Sequence, residues 1–299
     1  MNVKPKGYLL MFIVVVLHSI PPVAIKFAYQ STNAFTTQLI WFISASIWAT
    51  IILFPLKKKT TVINDIKKNY KPLLKFLTFN TIGIITFFYA LNELGPSMAS
   101  FIDRSGTIFV IIFGIFILKE QFNKIELFGL MLSILGVFIL SFTNDKVILI
   151  TLLVQFIGLI IYSYSLIIVK KYSKKIDSFT FMFTRVWFNV ILLGLMTLTT
   201  NSYITPAKNT YWIFIVLPLL TAVIGQIIQF YAYSLIDVGK ASLFTNLIPF
   251  FVLLFSYIIF GDLLSIRQFI GGSIVVFGLC IIVLYKTKKA NVETVEEEI

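Results

Sequence analysis

The sequence contains one cysteine and one histidine, Cys280 and His18, and this scarcity excludes several kinds of site. A single cysteine cannot form an internal disulfide, and a single histidine rules out the two-histidine metal motifs. Carboxylates are also scarce, because Asp and Glu number 13 in 299 residues and cluster only in the C-terminal tail. Most membrane enzymes need grouped carboxylates, histidines or a metal. We therefore expect no cofactor, no metal site and no catalytic site.

Charge is sparse, and the apolar share of the chain is high. Charged residues make up 13% of the sequence, hydrophobic residues make up 58%, and the mean hydropathy is +0.94. Soluble domains have about 45–50% apolar residues, so this composition requires a lipid bilayer as the surrounding medium. The net charge of +12 comes from lysines in short clusters between apolar runs. That pattern is typical of cytoplasmic loops of membrane proteins and argues against a nucleic-acid partner.

Ten apolar segments are long enough to cross a membrane, which takes about 20 helical residues. They cover residues 7–27, 35–56, 73–91, 96–118, 125–142, 147–169, 179–199, 212–236, 241–260 and 266–285. If the N-terminus lies inside the cell, the lysine clusters fall in the inside loops, and the residues left outside are Lys26, Lys146, Lys208 and Arg267. The sequence therefore predicts an all-α integral membrane protein with cytoplasmic N- and C-termini.

The two halves of the chain repeat each other at a constant offset of 142 residues. The paired positions include Tyr89-Ala90 with Tyr231-Ala232, Ala99-Ser100 with Ala241-Ser242, Phe109-Val110 with Phe251-Val252, and Gly129 and Gly136 with Gly271 and Gly278. Each half holds five helices, an odd number, so the second half would insert upside down. We predict ten transmembrane helices in two inverted five-helix repeats, 1–143 and 144–286, and a disordered acidic cytoplasmic tail, 287–299. The glycines are expected to let the fifth and tenth helices pack closely.

A pattern that follows the fourth and ninth helices resembles one known from a transporter family. An acidic residue, Glu120, precedes Gly129 and Gly136, and the set Asp262, Gly271 and Gly278 repeats this arrangement. Together with Tyr89-Ala90-Leu91 and Pro249, it resembles the EamA-like branch of the drug/metabolite transporter superfamily over essentially the whole chain. The resemblance implies a ten-helix carrier. It leaves the substrate open, because this superfamily moves amino acids, nucleotide sugars, sugar phosphates, cations and drugs.

Two adjacent charged residues, Asp103 and Arg104, lie inside the fourth predicted helix and depart from that family pattern. A charge at mid-membrane costs about 2.5–3.5 kcal/mol. Neighbours on a helix point about 100° apart, so we expect the two not simply to neutralise each other and at least one of them to need another partner or water. We interpret both as substrate-binding residues. The alternative is an interhelical ion pair of Asp103 with Arg185, or an Arg104 that reaches outward to water. Arg185 itself is expected to extend to the inner interface.

The first helix carries His18 shortly before Pro21-Pro22. Proline removes a backbone donor, so this site is expected to interrupt the helix, and interrupted helices are where transporters bind substrate. Pro21, Pro22 and Pro249 are interpreted as gating or kink positions, and His18 as a ligand or proton carrier. The other predicted substrate-binding residues are polar and neutral: Asn80, Tyr89, Gln155, Tyr162, Gln226, Gln229 and Asn246. The alternative role for each is a hydrogen bond between helices.

These observations predict a secondary transporter that moves a small polar metabolite, such as an amino acid or a nucleotide-derived compound. The abundance of Phe, Ile, Lys and Asn fits an AT-rich genome, so the expected location is a bacterial cytoplasmic membrane, with the protein as a monomer or homodimer. The alternatives are a multidrug or organic-cation exporter of the same fold, a passive channel, or an integral membrane enzyme. Proton coupling would use Asp103 or His18, whereas facilitated exchange needs neither.

Overall fold

The computed structural model describes residues 3–53, 59–118, 124–141, 146–236, 244–261, 265–267, 269–278 and 280–281, together with the single residues 238, 241 and 263. All regular secondary structure in these ranges is helical. The helices are α1 (Val3–Ala28), α2 (Ala34–Leu53), α3 (Lys59–Arg104), α4 (Gly106–Leu118), α5 (Lys124–Ser141), α6 (Lys146–Tyr172), α7 (Ser178–Thr199), α8 (Tyr211–Leu217), α9 (Gln226–Leu235), α10 (Ile248–Phe260) and α11 (Phe269–Gly278). The predicted tail 287–299, Glu120 and Asp262 lie outside the described residues.

Six helical stretches among the described residues are long and apolar enough to cross a membrane. They are Lys6–Ala28, Ala34–Ile52, Lys59–Ile117, Ile148–Tyr172, Ser178–Thr199 and Lys208–Leu235. The shorter α10 and α11 are apolar as well. The all-α membrane class is thus confirmed, and the number of ten spans stays a prediction.

The predicted third and fourth helices belong to one long helical stretch with irregular points. Gly95 (φ 75°, ψ 167°) marks the boundary between them, and only glycine adopts such a backbone readily. A second irregularity follows at Ser105, where α3 ends and α4 begins. Its hydroxyl donates to Ile102 O at 2.6 Å, a local bond that competes with the helical pattern.

The predicted ninth helix is irregular at the matching position of the second repeat. A 3₁₀ turn, Thr245–Leu247, precedes α10 there. The offset of 142 residues places Leu247 opposite Ser105. The two repeats therefore share a break near the middle of their fourth helix.

The first helix differs from its prediction, because α1 runs unbroken through Pro21 and Pro22. The expected interruption at these residues was wrong. Their ring geometry is compatible with helical φ, and they remove only the amide donors that would meet Leu17 O and His18 O. Membrane helices tolerate such losses when neighbouring helices pack around them.

The core joins the two halves of the chain directly. Helix α3 packs on α6 and α7, α2 packs on α7, and α1 packs on α9 and α10. Three buried rings, Phe76, Phe181 and Phe230, meet edge to face with centroids 5.2–5.9 Å apart. They come from α3, α7 and α9, so first-half and second-half helices share one apolar cluster.

The repeated glycines bring α5 and α11 into close contact, as predicted. A Cβ atom added at Gly136 would lie 2.6 Å from Val275 N, and one added at Gly278 would lie 2.6 Å from Gly129 O. The hydroxyl of Ser133 also donates to Val275 O at 3.2 Å. Backbones this close leave no space for a side chain at either glycine.

Candidate functional site

A cavity of about 220 Å³ lies among α1, α2, α3, α4, α6, α7 and α9, so residues of both halves line it. Eight of the thirteen predicted site residues face it. They are His18, Pro21, Pro22, Asp103, Arg104, Tyr162, Gln226 and Gln229. The long helices of the two repeats thus bring together residues that lie more than 200 positions apart in the sequence.

Three of the other predicted residues lie away from the cavity. Asn80 is fully buried behind Tyr162 and donates through Nδ2 to Ser165 Oγ at 3.4 Å, while its Oδ1 has no partner. Gln155 is 1% exposed on α6, and neither polar atom of its side chain has a hydrogen-bond partner. Tyr89 is 37% exposed on the perimeter of the helix bundle, and its repeat counterpart Tyr231 is 41% exposed.

The two remaining predicted residues belong to the break in the second repeat. Pro249 occupies the first turn of α10, a position that favours proline because no amide donor is needed there. Its counterpart in the first repeat, Thr107, lines the cavity. Asn246 lies in the 3₁₀ turn, and its side chain is outside the described part of the structure.

Asp103 and Arg104, the last two residues of α3, pair with each other, which corrects the expectation that adjacent helical positions keep them apart, while Arg104 also has a further partner, as expected for at least one of them. Arg104 Nη2 forms an ion pair with Asp103 Oδ2, and Nη1 donates to Thr245 O at 3.0 Å. Thr245 is the repeat counterpart of Asp103, so the two helix breaks contact each other across the cavity wall.

Arg185 on α7 is a cavity residue that the sequence analysis assigned to the membrane interface. It lies seven residues after the start of α7, a rise of about 10 Å, and is only 6% exposed. Its guanidinium sits over the Phe42 ring at 5.6 Å, and its Nε has no hydrogen-bond partner. The available signal was its position inside an apolar helix in a chain with only three arginines.

His18 faces a helical irregularity that the sequence analysis did not predict. The segment between α8 and α9, Pro218–Gly225, is a π-helix, and His18 Nε2 lies 3.3 Å from Thr221 O within it. A Cβ atom at Gly225 would stand 3.0 Å from the same nitrogen, so this glycine leaves room for the imidazole. π-Helical turns occur frequently at functional sites, and Pro218 is the sequence signal that precedes this one.

Three polar side chains on α9 form a continuous hydrogen-bonded chain along the cavity. Gln226 Nε2 donates to Gln229 Oε1 at 2.8 Å, and Gln229 Nε2 donates to Tyr233 Oη at 2.9 Å. The spacing of three and four residues puts them on one helical face. Because each bond fixes the next side chain, the set presents polar groups in a defined orientation.

Aromatic side chains make up much of the remaining wall. Trp41, Phe42, Phe87 and Phe88 line the cavity from α2 and α3. Tyr29, just beyond the end of α1, donates to Phe88 O at 3.2 Å, and burial raises the pKa of its phenol well above the ordinary value. These rings were not among the predicted substrate-binding residues, which were chosen for their polar groups.

The comparisons with known proteins agree with this architecture. The model of the EamA-like transporter family matches residues 5–142 and again residues 149–284. A solved chain described only as "Crystal structure of protein" has a TM-score of 0.74 and 14% identity, and covers 93% of this chain and 96% of its own. At that identity the likeness shows the fold alone. No curated protein matches the sequence significantly. The chain belongs to the EamA-like transporter family and is a multi-pass membrane protein of the drug/metabolite transporter superfamily.

Proposed function

We propose that this protein is a secondary transporter that moves a small polar metabolite across the bacterial cytoplasmic membrane by alternating access. The observation that carries the proposal is the central cavity, because its polar groups come from both family repeats. Its volume of about 220 Å³ is below the roughly 300–1,000 Å³ of typical drug-sized sites. That size favours a small metabolite over the bulky substrates of a multidrug exporter.

We further propose that ten membrane spans form two inverted repeats, residues 1–143 and 144–286. The contact between α5 and α11 supports this arrangement, because it is reciprocal. Gly136 of α5 faces Gly271 O of α11. In the counterpart contact, Gly278 of α11 faces Gly129 O of α5. A two-fold axis between equivalent helices produces such an exchange of partners.

The loop contacts support the predicted alternation of loops between the two sides of the membrane, and the lysine distribution then favours cytoplasmic N- and C-termini. Asn33 Nδ2 donates to Ser202 O at 2.6 Å, and both residues belong to loops that the lysine distribution assigns to the outside. Asp65 Oδ2 accepts from Asp177 N at 2.9 Å, and both belong to inside loops. Loops assigned to one side of the membrane thus meet their own side, as this orientation requires.

Contacts at the two ends of the cavity supply candidate gates. At the outer end, the Lys26 ammonium sits 4.6 Å from the Phe260 ring centroid and joins α1 to α10. At the inner end, Lys170 Nζ donates to Tyr233 O and Ile236 O, each at 2.9 Å, and joins α6 to α9. Alternating access requires one end to open while the other stays closed.

An organic-cation exporter is disfavoured by the charges of the lining. A cation needs a carboxylate that is available for binding, and Asp103, the carboxylate of the cavity lining, is already paired with Arg104. The wall also carries Arg185, which would repel a cation. The geometry therefore supports a metabolite carrier over this alternative.

Site-directed thiol labelling tests alternating access directly. The Cys280→Ser variant removes the sole native cysteine, and Ser163→Cys then places one thiol on the cavity wall. We expect a membrane-impermeant maleimide to label this thiol from either side of oriented vesicles. When substrate is added, or when a reagent covalently blocks one gate, the labelling rate from one side should rise and the rate from the other side should fall.

The control places the thiol at Thr199, which is exposed at the outer end of α7 and is expected to react only from outside. Labelling of the cavity thiol from both sides at rates that rise together would indicate a channel. Labelling from one side under every condition would contradict alternating access.

A further inference from the structure

The charged groups of the cavity lining do not balance. Three charged residues face it: Asp103, Arg104 and Arg185. Asp103 and Arg104 neutralise each other in their ion pair. Arg185 therefore leaves one net positive charge on the wall, with His18 neutral.

None of the described carboxylates forms an ion pair with Arg185. Its neighbours are the Phe42 ring at 5.6 Å and the side chains of His18 and Tyr162, which lie within electrostatic range. None of these carries a negative charge. Burying an unpaired cation is costly, and buried charges in proteins are normally paired. The 6% exposure of Arg185 and the lack of an ion pair with any described carboxylate thus indicate a binding partner that comes from the solute.

We propose that the transported solute carries one carboxylate group and that this group binds the guanidinium of Arg185. Arginine suits this task because its planar fork matches the two oxygens of a carboxylate. The proposal rests on the transporter function proposed above, and it names the chemical class of the substrate and the residue that anchors it.

Charge balance distinguishes a carboxylate from a phosphate ester. One carboxylate cancels the single excess charge of the lining, whereas a phosphomonoester at neutral pH carries about 1.5–2 negative charges and would leave an excess. Gln226 and Gln229 then face the remaining polar part of the solute, and the aromatic wall faces its apolar part. A monocarboxylate satisfies this balance, whereas the ammonium group of a zwitterion would restore the excess positive charge.

An efflux experiment without a preselected ligand tests the proposal. The purified protein is reconstituted into liposomes loaded with an extract of bacterial polar metabolites, and the released compounds are identified by mass spectrometry against protein-free liposomes. We expect release of monocarboxylates, that is, of compounds with one carboxylate and no cationic group. Arg185→Gln should weaken transport at least about 30-fold, equivalent to about 2 kcal/mol at 1.4 kcal/mol per tenfold.

The matched control is Arg267→Gln, the same change at an exposed arginine outside the cavity, which should keep the original rate. Arg185→Lys retains the charge and should recover part of the activity, which a purely structural role would not require. For wild-type protein, the methyl ester of each released compound should fail to compete with it. This last measurement does not depend on the folding of any variant.

The outcomes separate the two proposals. Release of zwitterionic, neutral, cationic or phosphorylated compounds in place of monocarboxylates, an unchanged rate in Arg185→Gln, or competition by the methyl esters would overturn the monocarboxylate assignment while leaving the transporter function intact. If no compound is released above the protein-free level, the transporter function fails, and the assignment that rests on it fails too.

Discussion

Arg104 and Arg185 face one cavity but differ in what surrounds their guanidinium groups. Arg104 has an adjacent carboxylate and a carbonyl acceptor, Thr245 O. Arg185 has an aromatic face and no carboxylate from the described residues. An arginine whose charge is paired with a carboxylate of the protein holds structure together, whereas a buried arginine without such a carboxylate is available to a ligand. The two residues therefore have different consequences when they are replaced.

The ion pair of Asp103 with Arg104 can be tested by a double-mutant cycle. Asp103→Asn should leave Arg104 as an unpaired, largely buried charge and lower the free energy of unfolding by about 3 kcal/mol. Asp103→Asn combined with Arg104→Gln should recover much of this loss, because no unpaired charge remains at that position. Thermal unfolding of the detergent-purified wild type, the single variants Asp103→Asn and Arg104→Gln, and the double variant gives the four free energies of the cycle. A double variant no more stable than Asp103→Asn would contradict a structural pair.

The sequence predicted Gln226 and Gln229 as site residues but not Arg185, and the reason is physical. Gln226 and Gln229 are three residues apart on one helix, so their shared face follows from helical geometry alone. The environment of Arg185 depends on how α7 packs against α2 and α3. An arginine near a helix end extends to water when a path is open, and only the tertiary packing decides whether that path exists.

Irregular segments of the helices define the ends and walls of the cavity. The break at Ser105, the 3₁₀ turn Thr245–Leu247 and the π-helix Pro218–Gly225 each contribute or adjoin lining residues. Regular helices satisfy their own backbone groups, so deviations such as these are where carbonyls become available to side chains or solutes. Arg104 and His18 each contact one of these carbonyls.

The position of these irregularities was only partly predictable. The prolines of α1 were expected to break it, yet the helix continues, while the break in the first repeat occurs at Ser105 without any proline. A proline removes one donor, and surrounding helices decide whether the axis changes. A serine whose hydroxyl bonds Ile102 O redirects the chain through a local contact that composition does not reveal.

Lys170 holds the C-terminal end of α9, so replacing this residue tests the proposed gate at that end of the cavity. Lys170 donates to two carbonyls at the C-terminal end of α9, Tyr233 O and Ile236 O. A cation at a helix C-terminus is favourable, because it meets unsatisfied carbonyls and the negative end of the helix dipole. Lys170→Met keeps the side-chain length without the charge and should loosen the contact of α6 with α9.

We expect this variant to raise the labelling rate of the cavity thiol from the inside and to lower it from the outside. Lys171→Met changes the neighbouring lysine, which is exposed, and should leave both rates as they were. Equal rates in the Lys170→Met and Lys171→Met proteins would remove Lys170 from the inner gate.

Across the whole molecule, the apolar segments of the sequence predicted most of the helical layout. Every one of the ten segments overlaps a helix, because about 20 apolar residues in lipid have to satisfy their own backbone. The early start of α3 at Lys59 was missed, since residues 59–72 precede the third apolar segment and are largely polar. The central cavity could be anticipated from the repeat, but its aromatic wall and its net charge depend on how the two halves dock.

The docking of the halves through α5 and α11 gives a prediction about the molecule as a unit. Gly136→Ala and Gly278→Ala each place a methyl group against a backbone, and each should lower the free energy of unfolding by about 1–3 kcal/mol. Gly194→Ala is the control, because its Cβ would lie 3.8 Å from Leu39 Cδ1 and the change improves helix propensity.

The two docking substitutions share one interface, so their costs should not add. Once the first methyl group has separated α5 from α11, the second enters space that is already open, and the double variant should lose less than the sum of the single losses. Two glycines related by the repeat should also give similar single costs. Thermal unfolding of the wild type, the two single glycine variants and the double variant measures whether the losses add and whether the two single losses are similar. Fully additive and unequal losses would indicate two independent contacts, and the pseudo-two-fold docking of the repeats would then have no support from this interface.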